Sequence, residues 1–445
     1  MNKQIGSGFV IAAPSSGNGK TVITLSLLRA YKNNGSLVSS IKIGPDYIDP
    51  AYHSAASGKL CRNLDFWGMR DQTLSRQRAL AVEQCNLVLC EGVMGLFDGA
   101  ATGRLAGTGS TADAAKWLGW PVILVIDAKR QGASVAALVN GFVTHRNDIK
   151  VAGVIFNRIG GKNHERILRE ALLNTNIPCL GCVPRHDRLN LPTRHLGLKQ
   201  ANEMAQLESW LDEAAKIITA CVDLDLLEKL AVTSEEMSAS NYQLSIPMLG
   251  KHTAIARDNA FAFCYEHVTA AWRAAGVKIT YFSPIAGEKP NSLADSIYLP
   301  GGYPELYATK IAENYEFKRA MKIAALNGSV IYGECGGFMV LGESLIDRDG
   351  NSHKMLDLLP VKTSFANPRM HLGYRQLSLI DRGILGDAGT KFKGHEFHYC
   401  SVVDNSKSKI RNLFYGTDAR GEKLQEMGCK RGSVSGSFSH IIDSV

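Results

Sequence analysis

Short apolar runs recur along the chain, each followed by a glycine-rich or polar turn and then a stretch with helical spacing. Residues 8–13, 38–43, 86–90, 121–127, 151–156 and 178–183 are the first six such runs. Strands covered on both faces read this way, as apolar runs rather than strict alternation. Strands alternating with helical segments predict a parallel, doubly wound α/β domain over residues 1–200. The chain then turns helical and afterwards rich in Ser and Asn, so residues 201–250 read as a helical segment with a linker at 233–245. The pattern resumes with strands at 253–256, 278–282, 296–299 and 330–332, a second α/β domain over residues 251–445.

The sharpest chemical signal lies where the last of these strands ends, in Val330-Ile331-Tyr332-Gly333-Glu334-Cys335-Gly336-Gly337-Phe338. A cysteine wedged between glycines, after a strand and before a helix, reads as a nucleophile elbow with its thiol exposed at the tip. The helix N-terminus behind it is expected to lower the thiol pKa of Cys335. Upstream, Pro300-Gly301-Gly302 forms a turn whose backbone N–H groups, with that of Gly336, suit an oxyanion hole. The base must be a histidine, and His395, His398 and His440 are not separated by spacing alone.

The first domain carries a different chemistry. Strand 8–13 runs into Pro14-Ser15-Ser16-Gly17-Asn18-Gly19-Lys20-Thr21 and then an amphipathic helix, which is strand, phosphate loop, helix. Gly17, Asn18 and Gly19 would cradle nucleotide phosphates, Lys20 would reach the outer phosphates, and Thr21 would ligate Mg²⁺. Pro14 stands where the usual loop has its first glycine. Asp46 and Asp49 follow the second strand, and Glu91 ends the third, at the position of a metal-site carboxylate. With Asp98 they surround one magnesium–phosphate site, in which Thr21, Asp46 and Glu91 are the candidate Mg²⁺ ligands. Asp98 and Tyr47 are candidates for contact with substrate or with the groups behind the site.

Composition narrows the setting. The net charge of +8 is spread without a polybasic block, which suits anionic small molecules and gives no reason to expect nucleic acid. No apolar run approaches the ~20 residues of a membrane span. The N-terminus lacks the apolar core of a signal peptide. Ten scattered cysteines read as reduced thiols, hence a cytoplasmic enzyme. Cys179 and Cys182, with His186 and His195 nearby, raise a zinc or redox alternative that lacks a second Cys-x-x-Cys.

The order of Gly19-Lys20-Thr21, Gly44-Pro45-Asp46-Tyr47, Glu91 to Gly99, Pro300 to Glu305, Gly333 to Gly337 and Gly394-His395-Glu396-Phe397-His398-Tyr399 closely resembles the cobyrinic acid a,c-diamide synthases. These are cobalamin-pathway glutamine amidotransferases, and the resemblance spans nearly the whole chain. It implies an N-terminal domain like dethiobiotin synthetase and a C-terminal class I glutamine amidotransferase domain. It makes Cys335 the glutaminase nucleophile, His440 its base and Asn157 an adenine-reading residue. It implies ATP, Mg²⁺, L-glutamine and a corrinoid polycarboxylate as cofactors and substrates, with amidation through an acyl phosphate and no membrane partner. A homodimer is compatible with it. Many class I glutaminases have a Glu two residues after the catalytic His, whereas Ile442 stands there in this chain. Hydrogenobyrinic acid, nickel-sirohydrochlorin and the cobyric acid synthase reaction are the alternatives within the family. A partitioning-type ATPase switch is the alternative outside it.

Overall fold

The computed structural model describes residues 6–83, 85–100, 108–194, 197–233, 246–403 and 411–445. His195 and the linker expected at 233–245, apart from Thr233, lie outside them. The chain divides into two units, Met1–Trp67 with Asp71–Tyr242, and Gly68–Arg70 with Gln243–Val445. Among the described residues no helix is long and apolar enough to cross a membrane.

The first unit is built on β1 (Ser7–Ala12), β2 (Val38–Ile43), β3 (Arg62–Leu64), β4 (Leu87–Glu91), β5 (Val122–Asp127), β6 (Val151–Ile159) and β7 (Cys179–Pro184). Their order across the sheet is β3-β2-β4-β1-β5-β6-β7, and every neighbouring pair in it is parallel. The six expected strands are present. β3, short and polar, gave no apolar run to read. Because β1 lies centrally, the loop after it opens at the carboxyl ends of the strands, where such sheets place their ligands. Helix Lys20–Asn33 follows that loop.

The helical stretch after residue 200 belongs to this unit rather than standing apart. Helix Leu207–Cys221 buries Leu211, Ala214, Ala215 and Ile218. Glu208 and Asp212 pair with the buried Arg29 of helix Lys20–Asn33. Tyr31 donates from its hydroxyl to the Leu224 carbonyl at 2.9 Å. An apolar stripe on each helix and a buried arginine between them explain why the segment docks.

The second unit has the parallel strands Lys278–Phe282, His252–Ala256, Ser296–Leu299, Val330–Glu334 and Val434–Ser437, in that spatial order, with Cys429–Arg431 antiparallel at the edge. Two four-stranded sheets complete it. One orders Phe414–Asp418, His371–Leu379, Lys391–His398 and His440–Ser444, all antiparallel. The other is Ser352–Lys354, Ser344–Ile346, Lys362–Ser364 and Ser401–Val403. No continuous apolar run marks the strands of these two sheets. Most of them are short or half-exposed and mix polar with apolar residues.

Helix Gly336–Leu341 is buried along its whole length in the core of this unit. Gly337 makes that possible, because a Cβ there would lie 1.9 Å from the Leu299 carbonyl oxygen. Gly337→Ala should therefore lower the thermal midpoint, by an amount equivalent to about 2 kcal/mol or more of overpacking. Gly383→Ala, whose new Cβ would meet nothing within 4 Å, is the matched control and should be close to neutral. Equal midpoints for the two variants would show that the turn relaxes without cost.

Candidate active site

Each unit carries its own chemical cluster. In the first, Gly19 caps helix Lys20–Asn33 with φ +94° and contributes no side chain, so the first-turn N–H groups face outward for an anion. A Cβ at Gly19 would strike the Asn157 Nδ2 atom at 2.2 Å, so only glycine fits there. Asn157 Nδ2 donates to the Asn18 carbonyl at 2.9 Å, and the Asn18 Oδ1 accepts from the Asp127 amide at 2.8 Å. Arg158 donates to the Gly17 carbonyl at 2.9 Å and to Asp127 Oδ2 at 2.6 Å. The loop is thus tied to the ends of β5 and β6. Pro14, the departure from the usual loop, leaves its carbonyl in a tight fit against Gly95, where a Cβ would come within 2.5 Å.

Behind the loop lies a buried charge cluster. Glu91 Oε1 accepts from Thr21 Oγ1 at 2.6 Å and from Lys42 Nζ at 2.7 Å, while its Oε2 is 2.6 Å from His53 Nε2. Lys42 also pairs with Asp49, and Thr21 reaches Asp49 Oδ2 at 3.4 Å. Burial alone would lower the pKa of Lys42, but Asp49 and Glu91 overturn that and hold it well above its usual value. Burial and the neighbouring Asp46 push Asp49 up to about 6. Glu91 is held far below the carboxylate range by Lys42 and His53 despite burial. Burial opposes the charged form of His53, yet the Cys61 sulfur and Glu91 push it up to about 10. Burial lowers Lys20, which donates to the Met94 carbonyl.

Asp46 sits at the same strand end, and its Oδ1 accepts from the Ile48 and Asp49 amides at 2.8 and 2.9 Å. That is helix-start capping of Asp49–Ser57, performed by the carboxylate that the sequence offered as a ligand. Asp98 Oδ2 accepts from the Gly95 amide at 2.8 Å and so shapes its own turn. Tyr47 is half-buried beside Asp46. Sequence reasoning missed Lys42 and His53. Lys42 was the readable one, a lone charge inside a strand buried at every position.

Thr21, Asp49 and Glu91 offer only oxygen atoms, the donor type that Mg²⁺ takes. Among the described residues no three His, Cys, Asp or Glu side chains converge as a metal-ligand set. Cys179 and Cys182 are free, with their sulfurs 3.7 Å apart.

In the second unit Cys335 ends strand Val330–Glu334 with φ +47° and ψ −106°, and its amide donates to the Ser437 carbonyl at 2.8 Å. This is the sharp turn expected, but the thiol is not exposed: Cys335 is only 2% accessible. Nor is its pKa lowered. Burial pushes the thiol far up, outweighing the Gly336 amide.

The three histidines now separate. A Cβ at Gly301 would meet His440 Cε1 at 2.2 Å, His440 Nε2 at 2.8 Å and Cys335 Cβ at 3.2 Å, so His440 and the cysteine border one small space. His398 is instead engaged by Glu396 at 3.0 Å and stacked on Phe438, with ring centroids 4.0 Å apart. His395 pairs with His440 across two strands. Burial lowers His440 to about 3 and His395 to about 4. His440 itself lies in strand His440–Ser444, paired with Lys391–His398. Gly302 lies beside the elbow, since a Cβ at Gly336 would come 3.0 Å from its amide nitrogen.

Comparison with known proteins agrees with this division. Residues 9–198 match the CobQ/CobB/MinD/ParA nucleotide binding domain, and residues 252–444 match the CobB/CobQ-like glutamine amidotransferase domain. Hydrogenobyrinate a,c-diamide synthase of Brucella anthropi is 49% identical over 98% of this chain and 98% of its own length. Enzymes with the same name from Rhizobium meliloti and Rhodobacter capsulatus are 47% and 43% identical, again over 98% of this chain and 99% and 98% of theirs. With a nucleotide-binding unit and an amidotransferase unit matched end to end, the chain belongs to the hydrogenobyrinate a,c-diamide synthase family of amide-forming ligases.

Proposed function

We propose that this protein amidates the a and c acetate carboxylates of hydrogenobyrinic acid, using ATP and glutamine. The observation that carries the reading is the end-to-end match to synthases of that name over two units that each hold a separate reactive cluster. Cobyrinic acid, the substrate suggested by the motifs, gives way to the one in the relatives' names. A partitioning-type switch would have no use for the second unit's cysteine turn.

Cys335 attacks the side-chain amide carbon of glutamine, forming a glutamyl thioester and releasing ammonia, and water then cleaves the thioester to give glutamate and return the thiol. His440 takes the thiol proton and delivers it to the departing nitrogen. The amides of Gly302 and Gly336 hold the oxygen on which charge develops. In the first unit the Gly17-Asn18-Gly19 loop and Lys20 bind the ATP phosphates, with Asn157 on the base side. Thr21 and Glu91, with Asp46 and Asp49, would hold Mg²⁺, which when bound offsets phosphate charge. Lys42 keeps a fixed positive charge among those carboxylates. A substrate carboxylate takes the terminal phosphoryl group, and ammonia displaces phosphate from the resulting acyl phosphate to leave a primary amide. The cycle runs twice.

Mass spectrometry of hydrogenobyrinic acid incubated with the protein, MgATP and glutamine should show two successive OH→NH₂ exchanges. Exchange on cobyrinic acid alone would restore the cobalt substrate, and more than two exchanges would indicate the cobyric acid synthase reaction. Glutamine hydrolysis with neither acid amidated would redirect the search to other tetrapyrroles such as nickel-sirohydrochlorin.

Two variants test the division of labour. Cys335→Ser should abolish glutamine-driven amidation and retain amidation driven by added ammonia, whereas Lys20→Ala should lose both. Ammonia-driven turnover by Lys20→Ala would remove the phosphate loop from the mechanism.

The raised thiol pKa predicts a pH dependence. A group whose pKa is raised holds its proton longer, so little thiolate forms at neutrality. Alkylation of Cys335 by iodoacetamide without glutamine, followed by peptide mapping, should be slower than for free cysteine at pH ~8 and still rise well above the free-thiol value of about 8.5. A plateau near neutrality would show an activated thiolate at rest.

A further inference from the structure

The residue that orients the glutaminase base is missing from its usual place, because Ile442, fully buried and apolar, stands two positions after His440. The structure offers another carboxylate. Glu334 Oε2 lies 3.7 Å from His440 Nδ1, and both side chains are almost completely buried. That separation is longer than a hydrogen bond, as such contacts often are before substrate seats and the site tightens. The side chain does not wander in its pocket: Oε2 accepts from the Tyr298 hydroxyl at 2.7 Å, and Oε1 accepts from the Ile441 amide at 3.1 Å.

We propose that Glu334 is the positioning residue of the glutaminase, holding the His440 ring with Nδ1–H toward its carboxylate and Nε2 unprotonated to take the Cys335 proton. The proposal rests on the reading of Cys335 and His440 as nucleophile and base. Glu334 touches neither glutamine nor the reacting sulfur; it acts through the imidazole, as the acid of a Ser-His-Asp triad does. Its place in the chain is the unusual part. The sharp turn at Cys335 sends consecutive side chains to two sides of one histidine, so a single strand end supplies both nucleophile and orienting acid. Burial pushes the Glu334 carboxyl up to about 7, against the Tyr298 hydroxyl and the Ile441 amide. At neutral pH a good share is ionised, and a positive charge formed on His440 would draw the rest.

The local bonds make Glu334→Gln a directed test. The Ile441 N–H can only donate, so it selects the amide oxygen of a glutamine at the Oε1 position. The –NH₂ then falls where Oε2 was, beside His440 Nδ1. A donor there favours the imidazole with its proton on Nε2, which cannot accept from the thiol. The shape and the bond to Ile441 survive, and the Tyr298 hydroxyl can turn to accept.

Steady-state glutaminase kinetics on the full chain should show kcat for Glu334→Gln reduced by at least about tenfold, with KM for glutamine little changed. Its thermal midpoint should stay near wild type, and Glu334→Asp should recover part of the rate. Glu334→Gln with wild-type kcat overturns the proposal. So does a loss shared equally by Glu334→Asp and accompanied by a lowered midpoint, which would leave Glu334 a packing residue. Cys335→Ser, run alongside, separates the two levels: glutamine hydrolysis retained in that variant refutes the nucleophile reading itself.

Discussion

Both halves of the chain depend on one constraint, the tight reversal of the backbone where a buried parallel strand hands over to a helix. In the first unit the reversal is made by Gly19 at φ +94°, which has no Cβ and so incurs no strain. In the second it is made by Cys335 at φ +47°, a conformation that costs a side-chain-bearing residue about 1–3 kcal/mol. The neighbourhood must hold that strain in place. A ring of positions without side chains does so: Gly301, Gly302, Gly333 and Gly337 each lie where a Cβ would collide with backbone or with the reacting residues. The phosphate loop needs glycine because its ligand comes to the backbone. The elbow needs glycine around it because the ligand comes to the side chain, and the backbone must leave room.

Much of this was legible in the sequence, and the failures have physical causes. Continuous apolar runs located ten parallel strands because a strand covered on both faces has no polar period to confuse it. The antiparallel strands 371–379, 414–418 and 440–444 interleave His, Arg, Gln, Ser, Thr and Asp with apolar residues, in positions that a one-dimensional pattern assigns to loops. Motif order also singled out Cys335, Lys20, Thr21 and Glu91. It did not single out Lys42, which sits with Ser39 and Ser40 among the apolar residues of β2 and pairs with Asp49 and Glu91. It assigned Asp46 as a ligand without seeing that one of its oxygens caps helix Asp49–Ser57. The orienting acid was sought after His440 because triads are read along the sequence, although the partner of a base is chosen in space.

The expectation of a low thiol pKa failed for a reason that separates the two sites. A helix N-terminus contributes roughly 0.3–1 kcal/mol, whereas full burial shifts a titratable group by several pKa units. For Cys335 burial wins, and for His440 it also wins, so the thiol and the imidazole are both neutral at rest. The first unit follows the opposite course. Lys42, Glu91 and Asp49 are buried just as deeply but arrive as partners, and their mutual attraction keeps Lys42 and Glu91 charged. A site that handles phosphate needs fixed charge before its ligand arrives. In the proposed glutaminase reaction charge appears only as the thiol proton moves to His440, and groups neutral at rest suit that. Glu334 fits this second arrangement: a carboxyl poised near neutrality costs little while the imidazole is neutral and becomes a counter-ion when it is not. One polypeptide thus keeps a permanently charged cluster and a conditionally charged one by a single rule, whether or not the buried group is folded together with its opposite.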